Sequence, residues 1–327
     1  MSNKVLTVSV AAYNVAPFLT QCLDSLASCR RKDLLEVLIV DDGSTDETAK
    51  IARAYCEREP EVFRLIRKEN GGWGSTLNAS IPEARGTYFR QLDGDDLLNT
   101  ETLDRYLECL EEESADLVLT PYETFVSGTE AFLPCESSKV PKAQGADISL
   151  LPSGYSIPMH TCTFRTSLLQ DEGVHLLEHC FYTDTEFVVK GIRQAETFSS
   201  YPEPLYRYRV ARKGQSVSRE GYRRHRQDLV RVAMELVQTF NKETFTNKEA
   251  AETRILEHLS VISGNLDVFS RAEFMDYEKE LKSKAPAFYA AERSRAVLLL
   301  RRTGYLLWGP MVLLTGALRR REEGASC

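Results

Sequence analysis

The chain has 327 residues, 43% hydrophobic and 27% charged, enough for one large domain with an appendage and unlike a disordered or fibrous protein. Its formal charge of −7 at pH 7 argues against non-specific nucleic-acid binding, which needs a basic face that displaces counterions from phosphate. Eight cysteines are scattered with no C-x-x-C pair and no zinc spacing, so they read as free thiols of a reducing compartment.

Met1-Ser2-Asn3-Lys4 runs directly into a strand without the apolar core or cleavage site of a signal peptide, so the expected location is cytoplasmic. Residues 5–12 are a β-rich apolar run ending in the turn Tyr13-Asn14-Val15-Ala16-Pro17, after which Leu19, Cys22, Leu23 and Leu26 recur at helical spacing. Residues 36–40 make a second strand, and Ser44-Thr45-Asp46-Glu47 has the form of a capping box opening a helix with Ala49, Ala52 and Ala54. A third strand over 62–66 leads into the loop Gly71-Gly72-Trp73-Gly74-Ser75 and a short helix over 76–84. A fourth strand over 87–92 is followed by a helix over 103–110 and a strand over 116–119. The pattern loosens over 121–158, and the last hundred or so residues are mainly helical, with Leu229, Ala233, Leu236 and Val237, then Ile255, Leu259, Ile262 and Leu266, at helical spacing.

Strands alternating with helices predict an α/β class with right-handed crossovers and a mostly parallel sheet flanked by helices. Ligands bind such sheets beyond the carboxyl ends of the strands, where Tyr13, Asp41, Asp42, Asp93 and Asp95 fall. Val40-Asp41-Asp42-Gly43-Ser44 and Leu92-Asp93-Gly94-Asp95-Asp96 each close an apolar strand with clustered carboxylates. Like charges so placed repel, and burying one without a partner is costly, so a shared cation or polar ligand is expected: a site for a metal-bound phosphate ester.

The ordered set of Ala12-Tyr13-Asn14, Val40-Asp41-Asp42-Gly43-Ser44-Thr45-Asp46, Glu69-Asn70-Gly71-Gly72-Trp73-Gly74 and Leu92-Asp93-Gly94-Asp95-Asp96 resembles the family 2 glycosyltransferases with the GT-A fold. The match is good over about the first 120 residues and looser in the middle of the chain. The resemblance implies a nucleotide-sugar donor, most often a UDP-sugar, bound by Tyr13, Asp41, Asp42, Asn70, Gly71, Gly72, Asn78 and Asp93. Asp42 suits the imide N–H of uracil, and the glycines let backbone approach the nucleotide. Asp95, with Asp93, suits Mg2+ or Mn2+, since these carboxylate and phosphate oxygens are hard ligands. Where the family usually has Ala-Arg-Asn, this chain has Thr76-Leu77-Asn78, which removes a basic contact and leaves Asn78 as the sole match.

An inverting transferase needs a general base for the acceptor hydroxyl. A Glu-Asp pair often stands at this place in the family; here Thr183 replaces the glutamate and Asp184 matches the aspartate, with Glu186 as competitor and helix capping as the plain alternative. His160 is a candidate lining residue of the acceptor pocket, and Arg207 or Arg209 a candidate partner for the diphosphate. The Q-x-x-R-W of the family's processive synthases is absent near Gln215-Ser216-Val217-Ser218, favouring single-sugar addition.

Near the C-terminus, sixteen uncharged residues, 303–318, lie between Arg301-Arg302 and Arg319-Arg320-Arg321 and include Pro310, Tyr305 and Trp308. That is short of the roughly 20 needed to span a bilayer, so segment 297–321 reads as an interfacial anchor, with a buried hairpin or dimer contact as the alternative. The expected organisation is therefore a nucleotide-sugar half over 1–120, an acceptor-binding and catalytic half over 121–218, and a helical region over 219–327. The expected function is transfer of one sugar to a saccharide or lipid-linked acceptor in envelope or exopolysaccharide synthesis, at the inner face of the membrane. The competing expectations are a non-catalytic nucleotide-sugar-binding module and a sugar-nucleotide nucleotidyltransferase. The latter needs a Gly-rich, basic triphosphate loop after the first strand, which Ala12-Tyr13-Asn14-Val15 is not.

Overall fold

The computed structural model describes residues 4–129, 131–135, 138–211 and 215–325, with side chains described up to residue 316. The chain forms two compact units, residues 1–213 with 245–250 and residues 214–244 with 251–327.

The first unit opens with β1 (Leu6–Ala12), α1 (Ala16–Ala27), β2 (Leu35–Asp41), α2 (Thr48–Arg58), β3 (Phe63–Arg67), α3 (Trp73–Ser80) and β4 (Tyr88–Asp93). Strands β1, β2 and most of β4 are buried, as expected of apolar runs covered on both faces. The pairs β3-β2, β2-β1 and β1-β4 are all parallel. Then follow β5 (Leu97–Leu98), α4 (Thr100–Glu112), β6 (Leu117–Leu119), β7 (Tyr122–Val126), β8 (Leu133–Pro134), β9 (Ala146–Asp147), β10 (Cys162–Arg165), α5 (Thr166–Asp171), α6 (Asp184–Gly191), β11 (Thr197–Ser200) and β12 (Tyr206–Val210). The main sheet runs β3-β2-β1-β4-β10-β6-β11-β9, with β10 antiparallel to both neighbours. A second sheet, β5-β12-β7-β8, occupies part of the stretch where the sequence pattern loosens.

The expected capping box does not form. The helix starts at Thr48, and Glu47, at its N-cap, makes no side-chain cap bond. Ser44 Oγ instead accepts the Asn14 amide at 3.0 Å, and Asp46 accepts the amides of Ala16 at 3.1 Å and Thr48 at 3.0 Å. These side chains lace the turn after β2 to the turn after β1, a stronger demand than capping because both turns lie at the ligand edge of the sheet.

The second unit is helical: α7 (Arg219–Arg224), α8 (Arg226–Lys242), α9 (Lys248–Gly264, its first turn within the first unit), α10 (Arg271–Lys284), α11 (Pro286–Ala290), α12 (Arg295–Arg302) and α13 (Trp308–Ala325). Leu229, Leu236, Ile255, Ile262, Leu266, Phe274, Val297 and Leu300 are fully buried in its core. Glu278, buried there, takes Arg301 on both oxygens at 2.6 and 2.9 Å and the Tyr305 hydroxyl at 2.9 Å. Within the expected interfacial segment, Val297 and Leu300 thus belong to this core, and Arg301 and Tyr305 are tied to it through Glu278. Leu306, Leu307, Leu313 and Leu314 are exposed, whereas the side chains of Arg319, Arg320 and Arg321 lie outside the described residues. No helix among the described residues is long and apolar enough to cross a membrane.

Candidate active site

Parallel register fixes the site. Ala12 of β1 lies opposite Asp41 of β2, and Ala11 lies opposite Asp93 of β4, so both acidic clusters leave the sheet at one carboxyl edge. Asp41 is fully buried and accepts Arg67 Nε at 2.9 Å and the Ser44 amide at 3.0 Å, which closes the turn. Asp42 is 2% exposed. Its Oδ1 accepts Gly71 N at 2.9 Å, Lys68 Nζ at 2.8 Å and Ser75 Oγ at 3.2 Å, and its Oδ2 accepts Gly72 N at 2.8 Å and Asn70 Nδ2 at 3.1 Å. The carboxylate expected to meet a base is therefore the hub around which the glycine loop is wound. Gly72 has φ +84°, a conformation that side chains disfavour, and Tyr13 stands 49% exposed at the same sheet edge.

Four carboxylates share one field beyond β4. Asp93 Oδ1 accepts the Trp73 indole N–H at 2.7 Å and the Gln91 amide. Burial and then the charge of Asp95, with Asp184 adding to it, push the Asp93 carboxyl up to about 7 against the Trp73 hydrogen bond. Asp96 is pushed well up by burial and then by Asp93 and Asp95, while accepting the Tyr206 hydroxyl at 2.6 Å and the Arg209 amide at 2.7 Å. The Tyr208 hydroxyl is raised by burial and then by Asp96, Asp93, Asp95 and Asp184. A cation would relieve this crowding. Among the described residues there is no group of three or more His, Cys, Asp or Glu that could hold one alone. Asp93 and Asp95 supply two carboxylates, a hard-oxygen pair of the kind that Mg2+ takes together with phosphate oxygens and waters.

Asp184 is the first residue of α6, after Thr183 at the N-cap, where the helix dipole favours a carboxylate. Glu186, its competitor, is fully buried and accepts Leu177 N at 3.0 Å and Lys190 Nζ at 2.7 Å. Its side chain serves the loop before the helix.

The other candidates are engaged by neighbouring protein groups. Asn78 binds Leu176 and Glu178 rather than the loop Asn70-Gly71-Gly72. Arg209 is 2% exposed, donating to Asp95 O at 2.6 Å, Ser127 Oγ at 2.8 Å and Gln21 Oε1 at 2.8 Å, and Arg207 pairs with Glu123 at 3.2 Å. His160 packs its ring 4.7–5.0 Å from Tyr122, Tyr206 and Tyr208, and its carbonyl accepts the buried Arg90. Trp73, Tyr206 and Tyr208 were not among the site residues expected from sequence. The alternation Tyr206-Arg207-Tyr208-Arg209 is a period-two strand signal that leads to two of them.

Known proteins resemble this chain in sequence and fold. The chain is 28% identical to the uncharacterized glycosyltransferase EpsJ of Bacillus subtilis, over 63% of this chain and 61% of that protein. It is 27% identical to the poly(ribitol-phosphate) beta-N-acetylglucosaminyltransferase TarS of Staphylococcus aureus, over 65% of this chain and 36% of TarS. The chain thus matches less than two thirds of the length of either relative. The crystal structure of TarS 1–349 in complex with UDP-GlcNAc superposes with a TM-score of 0.70 at 21% identity, covering 97% of this chain and 92% of that one. The fold is therefore the GT-A type, a large mixed sheet flanked by helices with a helical C-terminal region. Residues 7–171 match the sequence profile of Glycosyl transferase family 2, and with half of its length so matched the chain belongs to that family of transferases.

Proposed function

We propose that the chain transfers a single sugar, with inversion, from a nucleoside-diphosphate sugar of the UDP class to a saccharide or lipid-linked acceptor in envelope or exopolysaccharide synthesis. The observation that carries this reading is the meeting of Asp93, Asp95 and Asp184 in one field at the strand ends, beside a glycine loop wound on Asp42. TarS, solved with UDP-GlcNAc, supports the donor class through its name and fold.

On this reading Tyr13 flanks the base, the Asp41-Asp42 turn and Asn70-Gly71-Gly72 offer a close backbone surface to the nucleotide, and Asp93 serves the ribose or the ion. Asp93 and Asp95 would hold Mg2+ or Mn2+, which supplies Lewis-acid neutralisation of the leaving diphosphate. Asp184 takes the proton of the acceptor hydroxyl as that oxygen bonds to the anomeric carbon and the bond from that carbon to the diphosphate oxygen breaks on the opposite face. Exposed Leu306, Leu307, Leu313 and Leu314, with arginines following in sequence, suit peripheral contact with an anionic membrane on its cytoplasmic side.

Calorimetric titration with UDP, with Mn2+ or with chelator, tests the donor site. Wild type is expected to bind more tightly with the ion, and Asp95→Asn to lose that difference. Equal binding by wild type under both conditions would overturn the assignment of the ion.

A further inference from the structure

Residues 174–183 lead into Asp184 without helix or strand of their own, so their shape is set by side chains that reach in from elsewhere. Asn78, on α3, holds Leu176 by both backbone groups: Nδ2 donates to Leu176 O at 2.9 Å and Oδ1 accepts Leu176 N at 2.8 Å, as the next strand of a sheet would. Its other amide hydrogen goes to Glu178 Oε1 at 3.0 Å. From α6, Glu186 accepts the very next amide, Leu177 N, at 3.0 Å, and Lys190 joins Glu186 at 2.7 Å to the His175 carbonyl at 2.8 Å.

The same loop is pressed onto the glycine loop. His179 N donates to the Gly71 carbonyl, and a Cβ on Gly74 would collide with the Leu177 carbonyl. His179 and Tyr182 have φ of 50° and 66°. Left-handed backbone at non-glycine residues costs on the order of 1–3 kcal/mol and persists only where the surroundings over-determine it. Asn78 on one side and Glu186 on the other hold residues 176–178, immediately before His179.

We propose that Asn78 and Glu186 are positioning residues: together they fix residues 176–178, and through that loop they set Asp184 against Asp93 and the glycine loop. The inference rests on the reading of Asp184 as the base. It gives Asn78 a task distinct from donor contact, since both of its amide hydrogens are engaged by the loop. It also accounts for a carboxylate two residues after Asp184 that is buried with its charge matched by Lys190.

The test compares wild type with Asn78→Ala, Asn78→Asp and Glu186→Gln, all full length, measuring kcat, the dissociation constant of UDP and amide hydrogen exchange. Asn78→Ala is expected to lower kcat about tenfold or more, because small misplacement of a reacting group is costly, while UDP affinity stays within about twofold. The Leu176 amide, whose partner is then missing, is expected to exchange at least about tenfold faster. Asn78→Asp keeps the acceptor for Leu176 N but sets a carboxylate against the Leu176 carbonyl and Glu178, so the loop is expected to loosen and kcat to fall at least as far, with UDP affinity again kept; this variant carries the test if alanine prevents folding. Glu186→Gln keeps one acceptor oxygen but loses the charge that holds Lys190, so the loop is expected to loosen and the Leu177 amide to exchange faster. Loss of UDP affinity in step with kcat would make Asn78 a donor ligand and overturn the proposal, as would unchanged kcat and exchange. Asp184→Asn is run alongside. Near-normal transfer by that variant removes the base reading, and the clamp is then upheld by faster exchange at Leu176 and Leu177 or overturned by its absence.

Discussion

Asp42 receives the backbone amide of Gly72 on its carboxylate at 2.8 Å, and with it the shape of the donor loop. An acid at this position thus acts first on its own chain, gathering the amides of Gly71 and Gly72, Asn70, Lys68 and Ser75. Asp42→Asn puts a donor among donors and leaves a buried amide without an acceptor, a loss of roughly 1–3 kcal/mol. The variant is expected to melt lower and bind UDP about tenfold or more weakly, a change of about 1.4 kcal/mol or more. Weaker UDP binding at an unchanged melting temperature would instead indicate a direct contact with the base.

Gly72→Ala tests the same loop from the backbone side. At φ +84° an alanine is strained even though its Cβ would meet Cys180 N at an ordinary contact distance of 3.4 Å, so the loop should distort to relieve the backbone. The expected result in calorimetry is weaker UDP binding, with a stability loss of about 1–3 kcal/mol in denaturant titration. Wild-type values for both would contradict the close-approach role of this glycine.

The helical unit should be acid-sensitive through His258. Burial lowers the His258 pKa to about 4; a hydrogen bond to the Leu229 carbonyl, at 2.9 Å, opposes the shift, Arg254 adds to it and Glu257 resists it. A folded-state pKa below the unfolded value of about 6.5 means that the neutral form is favoured by folding. The resulting stability is complete above pH 6.5 and is lost as pH falls toward 4, by at most about 3 kcal/mol. Wild type is expected to lose melting temperature over that interval more steeply than His258→Gln. Parallel pH curves would contradict the assignment.

Membrane contact is expected from the exposed Leu306, Leu307, Leu313 and Leu314. Truncation at Arg295 would remove Val297 and Leu300, both fully buried, and the Arg301 partner of Glu278. Removing residues 306–327 keeps these and takes away exposed Leu306, Leu307, Leu313 and Leu314. That truncation is expected to abolish sedimentation with phosphatidylserine vesicles while UDP affinity is kept. Reversal of Arg319, Arg320 and Arg321 to Glu should weaken vesicle binding by at least about 1 kcal/mol per basic residue removed. A full-length protein that ignores such vesicles would contradict membrane contact.

The parallel half of the sheet is legible in the sequence because strands 6–12, 35–41 and 88–93 are apolar runs buried on both faces, punctuated by turns. The strand-end carboxylates are legible because clustered charges closing an apolar run need partners, which Asp41 finds in Arg67 and Asp42 in the Gly71 and Gly72 amides while both stay buried. The second sheet is not, since β5 and β8 have two residues each and show no period. Nor are the tasks of Asp42 and Asn78. Both residues match a donor-binding pattern by type and spacing, but which donors each carboxylate or amide meets depends on loops brought together from positions up to 100 residues apart.

The central claim, that Asp184 removes the acceptor proton in a sugar transfer, is tested most directly by measuring transfer rate and UDP-sugar affinity of Asp184→Asn side by side. The account expects affinity within about twofold of wild type and turnover lowered about a hundredfold or more, the usual scale for loss of a general base. Near-normal turnover at unchanged affinity would contradict it.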